Sequence, residues 1–446
     1  MSSDTCKLSD IADVQGGFAF KSADFSDTGV AVVKIANIQP PSVSLANVDR
    51  IAPDKLKGLE RFELLDGDIL MAMTGATVGK AGRFRLTEPA YLNQRVARIS
   101  AKKGHLFDDF LYAVVSLPGF DNLIEGASAG SAQANISAAG IGSVVIPKLS
   151  DSEQIQIGCI ARMLDDRMAL LRETNATLEA IAQTLFKSWF VDFDPVHARA
   201  RGEQPADLAP EVAALFPDSF EESELGMVPR GWKVVSVGDV AEVVKGKSYS
   251  SKDLVDSHDT ALVTLKSFER GGGFRLDGFK PYSGAYKPSQ VVVPGDLIIA
   301  YTDVTQAAEL IGKPAIVVGV ENHQTLVASL DVGIVRPVED NVSRQFLYGL
   351  FRTEPFQSHT FAHTSGTTVL HLAKDGVGSF EFACPPVELV KAFTEIADSL
   401  AERRQTNIDQ MRTLATLRDT LLPRLISGQL RLSDAEAQLS ETGLCQ

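Results

Sequence analysis

The residues that could do chemistry come first, because their spacing decides what kind of protein this is. Gly75-Ala76-Thr77-Val78-Gly79-Lys80-Ala81 sets a lysine behind two glycines, much as a phosphate-cradling P-loop does. It has three residues between the glycines where four are needed, and Ala81 stands where a magnesium-binding Ser or Thr belongs, so it is not read as one. His359 and His363 lie one helical turn apart, with His371 beyond, but the glutamate of a zinc hydrolase is missing. Methyl transfer to DNA would need a glycine-rich turn for the donor and an aromatic Asx-Pro-Pro motif for the base. Gly271-Gly272-Gly273 follows no strand-to-helix pattern, and Asp192-Phe193-Asp194-Pro195-Val196 has one proline and no aromatic after it. Cys6, Cys159, Cys384 and Cys445 are far apart and form neither a disulfide framework nor a CxxC zinc site. No nucleophile stands beside a base. The chain is therefore expected to be non-catalytic, with no metal and no cofactor of its own.

Composition agrees with a soluble, multi-domain protein. The 446 residues are 44% hydrophobic and 22% charged, and no apolar run reaches the ~18 residues of a membrane span. Met1-Ser2-Ser3-Asp4-Thr5-Cys6-Lys7 has no signal-peptide pattern, so a cytoplasmic location without membrane contact is expected. A net charge of −14 points weakly away from nucleic acid, whose phosphates demand Lys and Arg. The acid is concentrated in residues 191–230, however, which leaves the two large segments nearly balanced.

The elements that must position any functional residue occur twice. Leu8-Ser9-Asp10-Ile11-Ala12-Asp13-Val14 resembles Val237-Gly238-Asp239-Val240-Ala241-Glu242-Val243, and Gly67-Asp68-Ile69-Leu70 resembles Gly295-Asp296-Leu297-Ile298. Val78-Gly79-Lys80 matches Ile311-Gly312-Lys313. Phe110-Leu111-Tyr112 matches Phe346-Leu347-Tyr348 at an offset of 236, at which Phe120, Gly130, Gly142 and Ile160 also meet Phe356, Gly366, Gly378 and Ile396. Matches in order, with so little drift in offset, mean a duplicated unit. Short alternating runs such as Val30–Ile35 and Ala261–Leu265, broken by Gly, Pro, Asn and Asp, read as short strands, with helices near 107–117 and 343–352. A long helix ends each unit. Ile157, Leu164, Leu171, Leu178 and Leu185 recur every seven residues, as do Phe393, Leu400, Asn407, Leu414 and Leu421. The second stripe is placed three residues on, at Ile160, Arg167, Thr174, Ile181 and Ser188, and at Ile396, Arg403, Gln410, Leu417 and Arg424. Sustained heptads predict that the helices pair with each other, antiparallel, as a coiled coil.

The expected organisation is a mixed α/β chain. Residues 1–149 form a first globular domain and 150–190 its long helix. Residues 191–230 form an acidic, proline-containing connector with one short helix at 211–216. Residues 231–386 form a second domain, 387–430 its helix, and 431–446 a polar, mobile tail.

Particular motifs give this pattern a family likeness. Gly226-Met227-Val228-Pro229-Arg230-Gly231-Trp232 resembles the start of a target-recognition domain in the specificity subunits of type I restriction–modification enzymes. Gly17-Phe18-Ala19-Phe20-Lys21-Ser22 resembles an early loop of such domains, and Gly67–Leu70 with Gly75–Lys80 their central strand and turn. Leu185-Phe186-Lys187-Ser188-Trp189-Phe190-Val191-Asp192-Phe193-Asp194-Pro195 resembles the segment after the first long helix, and Leu421–Leu430 the end of the second. One departure is that Glu153-Gln154 at the start of the first helix becomes Val390-Lys391 in the second. The resemblance implies tandem α/β recognition domains related by a pseudo-twofold axis, each reading half of a bipartite, asymmetric site on double-stranded DNA. It implies helices that act as a spacer, two modification subunits that supply S-adenosylmethionine chemistry, and ATP- and magnesium-using restriction subunits, in a bacterial or archaeal cytoplasm. The alternatives are a protein-binding scaffold and a catalytic methyltransferase or nuclease.

Base reading needs Arg, Lys, Asn or Gln in loops that reach groove edges. Candidates in the first unit are Lys21, Asn37, Thr74, Thr77, Lys80, Asn93, Gln94, Arg95, Gln133 and Asn135. In the second they are Lys247, Tyr249, Lys266, Tyr301, Thr302, Lys313, His323, Gln324, Thr367 and His371. Lys80 and Lys313 match between the repeats and suit phosphate contacts, which carry no sequence information. Gln133-Ala134-Asn135 differs from Val369-Leu370-His371 and suits base reading.

Overall fold

The repeated Asp at the third position of Leu8–Ile11 and Val237–Val240 explains how each unit begins. Both segments are single helical turns, and Asp10 and Asp239 each accept a backbone N–H from three residues back, Lys7 and Ser236, at 2.8 Å. In the computed structural model, which describes residues 4–127, 135–304, 307–320, 322–338 and 341–441, the chain divides into two compact units. The first comprises Met1–Leu171 and Gln410–Gln446, and the second Arg172–Asp409, so each long helix contributes one part to each unit.

The first unit is built on a six-stranded sheet in the order Ala12–Gly16, Val96–Ala101, Ile69–Ala72, Ala81–Arg83, Ser42–Val43, Ile38–Gln39. A four-stranded sheet joins Ala90–Leu92, Val30–Val33, Asp49–Ile51 and Phe25–Ser26. In the second unit Ala241–Lys245, Val332–Pro337, Leu297–Ala300 and Pro314–Ile316 form one sheet, and Lys280–Pro281, Thr260–Val263, Thr325–Ala328 and Val291–Val292 another. The registers repeat: Val96 faces Ala72 as Val332 faces Ala300, and Ala97 faces Gly16 as Gly333 faces Lys245. The Gly-Asp pairs before the central strands make the same turn twice. Gly67 and Gly295 take φ of +87° and +88°, and Asp68 and Asp296 accept N–H bonds from Leu65 and Val293. Helices Asp108–Val115 and Arg344–Phe351 follow, the second capped by Ser343 on Phe346 N–H.

The long helices span Asp151–Phe190 and Val387–Ile426, 40 residues each. Within the first unit Ile157, Leu164 and Leu171 share a core with Leu414 and Leu421, and Asp165 meets Arg418 at 3.2 Å. Within the second, Asn175 meets Asn407, Glu179 meets Arg404, and Phe186 meets Phe393. In the second unit the partner number falls as the residue number rises, so the strips run antiparallel.

The second stripe is only partly where the spacing placed it: Ile160 is buried in the first unit's core, Leu417 packs against it, and Thr174 and Ser188 are half-buried. Arg167, Ile181, Ile396, Arg403, Gln410 and Arg424 are exposed. The stripe that is buried or half-buried throughout lies four residues on, at Ala161, Met168, Asn175, Ala182 and Trp189, and at Ala397, Arg404, Met411, Arg418 and Leu425. Positions three and four residues on both flank the seam residue on a 3.6-residue helix, and only the side on which the partner lies separates them.

Two further segments hold more structure than expected, although the short helix expected at 211–216 is present in part, as Pro210–Ala213. Residues 191–230 are an ordered part of the second unit: Asp194–Ala200 and Pro210–Ala213 are helical, Phe220–Ser223 pairs with Gly226–Pro229, and Val196 and Phe216 are buried beside Trp189 and Trp232. Pro195 and Pro210 sit in the first turns of those helices, where a missing N–H costs nothing. The tail carries a helix, Leu432–Glu441, whose Ala435 and Leu439 are fully buried in the first unit's core.

Asn407 is fully buried, its amide donates to Asn175 Oδ1 at 2.8 Å, and its own oxygen has no partner among the described residues. Asn175→Leu alone should cost about 1–3 kcal/mol, because it leaves the whole Asn407 amide unsatisfied. The double variant Asn175→Leu, Asn407→Leu should unfold at the same or a higher temperature than the parent. Equal stability of the single and double variants in thermal melts would show that the amide pair is not a coupled unit.

Candidate functional site

The same backbone frame gathers exposed side chains at one end of the sheets in each unit. In the first, Met73 N–H donates to Arg95 O (2.9 Å), Gly17 N–H to Val96 O (3.1 Å), Phe18 N–H to Leu92 O (2.9 Å) and Ile136 N–H to Met73 O (2.9 Å). In the second, Tyr301 N–H donates to Asp331 O (2.8 Å), Gly246 N–H to Val332 O (3.1 Å), Lys247 N–H to Ala328 O (2.7 Å) and Leu372 N–H to Tyr301 O (2.9 Å). The frame is tight enough to require glycine. A Cβ on Gly17 would lie 2.3 Å from Asn93 O, and one on Gly246 2.0 Å from Ser329 O.

Around this frame the first unit brings together Thr74, Thr77, Lys80, Asn93, Gln94, Arg95 and Asn135. Thr74 bridges to Asn135, Lys80 O accepts Ala72 N–H, and the loop through Phe18 leads to exposed Lys21. Lys80, Gln94, Arg95 and Asn135 are exposed. Asn93 is buried, with Oδ1 turned to Arg95 N–H, and among the described residues the buried Thr74 and Thr77 hydroxyls have no partner. Gln133 lies outside the described residues. Gly75–Thr77 is a 3-10 turn followed by the strand Ala81–Arg83, so no helix N-terminus faces the turn as a P-loop would need.

Asn37 is a correction. It is buried, and its side-chain oxygen accepts Lys34 N–H at 2.9 Å. Ser267 makes the same local cap on Thr264 in the second unit, so the position closes a turn in both units, and burial keeps Asn37 from a base edge.

The second unit gathers Lys247, Tyr301, Thr302, Lys313 and His371. Thr302 pairs with His371 across a small sheet, and Ala300 N–H donates to Lys313 O as Ala72 does to Lys80 O. His371 is exposed, as is Thr367 in the loop before it, and Lys266 is exposed beyond the Thr260–Val263 strand. Thr302 is buried. Burial pushes the Tyr301 hydroxyl up to about 12, and its ring lies over Gly333, so Tyr301 is a packing residue. Lys313 is half-buried, and burial followed by the charge of Arg352 lowers its pKa, whereas its counterpart Lys80 is exposed. Tyr249 is occupied by Lys280.

His323 and Gln324 precede the strand Thr325–Ala328, and Ser329 follows it, so these two lie at the other end from the frame. There His323 Nδ1 bonds to His258 O at 3.0 Å. The counterparts of Gln94 and Arg95 are instead Leu330 and Asp331, which a search for donor residues passes over. The offset of 236 seen at Phe110 and Phe346 would have found them. His359 and His363 stack at 4.1 Å, with ring nitrogens bonded to Ser379 Oγ and His359 O.

A family model described as a type I restriction modification DNA specificity domain matches residues 2–180. The chain is similar to the HindI specificity subunit of Haemophilus influenzae, 25% identical over 319 residues that cover 60% of this chain and 65% of that one. It is similar to the MjaIX specificity subunit of Methanocaldococcus jannaschii, 24% identical and covering 78% and 74%. The chain thus spans just under two thirds of the length of the first relative. In fold it is similar to a type I restriction–modification S subunit from M. genitalium, with a TM-score of 0.52, 13% identity, and coverage of 95% and 96%.

Proposed function

We propose that this chain, a member of the family of type I restriction–modification specificity proteins, is the non-catalytic DNA-reading subunit of such a system. Each unit reads one half of a bipartite, asymmetric site on double-stranded DNA. The paired helices set the spacing between half-sites and dock two modification subunits and the restriction subunits. Those partners supply S-adenosylmethionine binding and ATP- and magnesium-dependent cleavage. The observation that carries the reading is that one backbone frame occurs twice with different side chains at its tip, exposed Gln94-Arg95 in one unit and exposed Leu330 with half-exposed Asp331 in the other. A frame held constant while its exposed residues change suits two readers of different sequences.

The test is to purify the chain alone and with its modification subunit, and to map methylated bases. The pair should methylate an asymmetric two-part motif, and the chain alone should neither methylate nor cut. Methylation by the chain alone, or a palindromic motif, would overturn the reading. Lys80→Ala should weaken binding of the assembled complex to cognate and single-base-variant duplexes alike, and lower the slope of log K against log salt by about one. Fluorescence anisotropy at several salt concentrations measures both. A loss confined to the cognate duplex would remove Lys80 from the phosphate contacts.

A further inference from the structure

The segments Asn93–Val96 and Ser329–Val332 are β-turns closed by Val96 N–H to Asn93 O and Val332 N–H to Ser329 O, both at 2.9 Å. Each is pinned from several sides. Asn93 N–H donates to Val33 O and Ser329 N–H to Val263 O, while Arg95 O and Asp331 O accept from Met73 and Tyr301. Gly17 and Gly246 press against the turns so closely that a methyl group would collide with the Asn93 and Ser329 carbonyls. The fold thus holds four tip residues, Gln94, Arg95, Leu330 and Asp331, on rigid backbone. Gln94 and Arg95 are exposed, Leu330 is 40% exposed and Asp331 is half-exposed. Among the described residues none of the four tip side chains has a hydrogen-bond or ion-pair partner.

The chemistry of the tips is opposite. Gln94 and Arg95 match purine edges: an arginine donates to guanine O6 and N7, and a glutamine amide donates to adenine N7 while accepting from its N6 amino group. The Leu330 and Asp331 side chains cannot donate. A carboxylate facing DNA is repelled by phosphate, so it is tolerated there only where it meets a donor. In the major groove the donors are the exocyclic amino groups of cytosine and adenine. An exposed leucine beside it suits a thymine methyl group.

Resting on the reading of each unit as a half-site reader, we propose that the Ser329–Val332 turn is a base-reading element in which Asp331 selects a base presenting a major-groove amino group. Leu330 packs on the neighbouring base edge. The Asn93–Val96 turn reads purine edges through Gln94 and Arg95; Arg95 only donates where Asp331 only accepts, so the two half-sites differ in hydrogen-bonding sense at the corresponding position.

The experiment uses the complex of the full chain with its modification subunit. The parent, Asp331→Asn and Leu330→Ala are compared by mapping methylated motifs and by binding to all single-base variants of the cognate duplex. Thermal unfolding verifies that the variants are folded. Asp331→Asn should reduce discrimination at one position of one half-site by about 10- to 100-fold, leaving the other half-site unchanged. Leu330→Ala should weaken preference at an adjacent position. If the parent complex shows no bipartite motif, the functional reading itself fails. If the parent shows one but Asp331→Asn and Leu330→Ala both keep its full discrimination, or lose affinity equally for every sequence, the turn is not a base reader and this inference fails.

Discussion

Trp189→Ala should destabilise the second unit by about 3–5 kcal/mol, the range for removing a large aromatic from a packed core. Trp189 is 1% exposed near the end of the first long helix. Its ring meets Phe216 edge-on at 5.3 Å and approaches Phe190 at 5.9 Å and Phe393 at 6.2 Å. Phe186, Phe190 and Phe346 extend the cluster through further tilted and edge contacts, which add beyond burial alone. Neighbours locked this tightly cannot collapse into the space an alanine leaves. Trp189 also joins the second long helix, through Phe393, to the 191–230 segment, through Phe216. The loss should therefore appear in urea unfolding as a lower midpoint, and in limited proteolysis as earlier cleavage within 191–230. Trp189→Phe should recover most of the stability. A cost below about 1 kcal/mol for the alanine variant would mean that the cluster can relax around the gap.

Glu179→Leu should cost about 2–4 kcal/mol despite adding apolar surface. The Glu179 carboxylate accepts from Tyr348 Oη at 2.8 Å and Gln183 Nε2 at 2.7 Å, bonds Arg404, and lies 3.7 Å from Arg352. Its side chain is 16% exposed, and those of Arg352 and Arg404 are 21% and 30% exposed. Removing the carboxylate leaves two poorly solvated guanidinium groups without their shared counter-ion. Breaking a buried pair from one side costs about 3–5 kcal/mol, and the residual exposure of Arg404 brings the figure down. Burial, and then the charge of Glu179, raise the Tyr348 hydroxyl above its ordinary value, so the tyrosine donates as a neutral group. Glu179→Gln, which keeps an acceptor and loses the charge, should fall between parent and leucine variant in chemical denaturation. Equal stability of all three proteins would remove the network from the forces that hold the helices together.

The exposed positions on the frame were partly legible in the sequence. Lys80, Gln94 and Arg95 combine donor chemistry with turn-forming neighbours, and they emerge exposed on one frame. Asn37 has the same chemistry, but its side chain closes a local turn, a choice that depends on backbone geometry no residue type reports. His323 and Gln324 are polar and sit in a loop, yet they lie at the far end of their strand, because loop character says nothing about which end of a sheet a loop occupies. Leu330 and Asp331, at the matching tip of the second unit, fall outside a search restricted to residues that donate.

What the sequence by itself determined is whatever repeats or recurs locally: the duplication, the capped turns at Asp10 and Asp239, the glycine turns at Gly67 and Gly295, and the seven-residue recurrence that marks both long helices. Each depends on interactions within a few residues along the chain, so residue order is enough to specify it. Only the tertiary structure decided that Trp189 and Arg418 face the partner helix where Ile181 and Ile396 face solvent. It alone packed the 191–230 segment and the Leu432–Glu441 helix into the cores. Both sides of a helical seam and both faces of a short amphipathic helix are nearly equal in local energy. The choice between them falls to burial against residues hundreds of positions away, which no local pattern encodes.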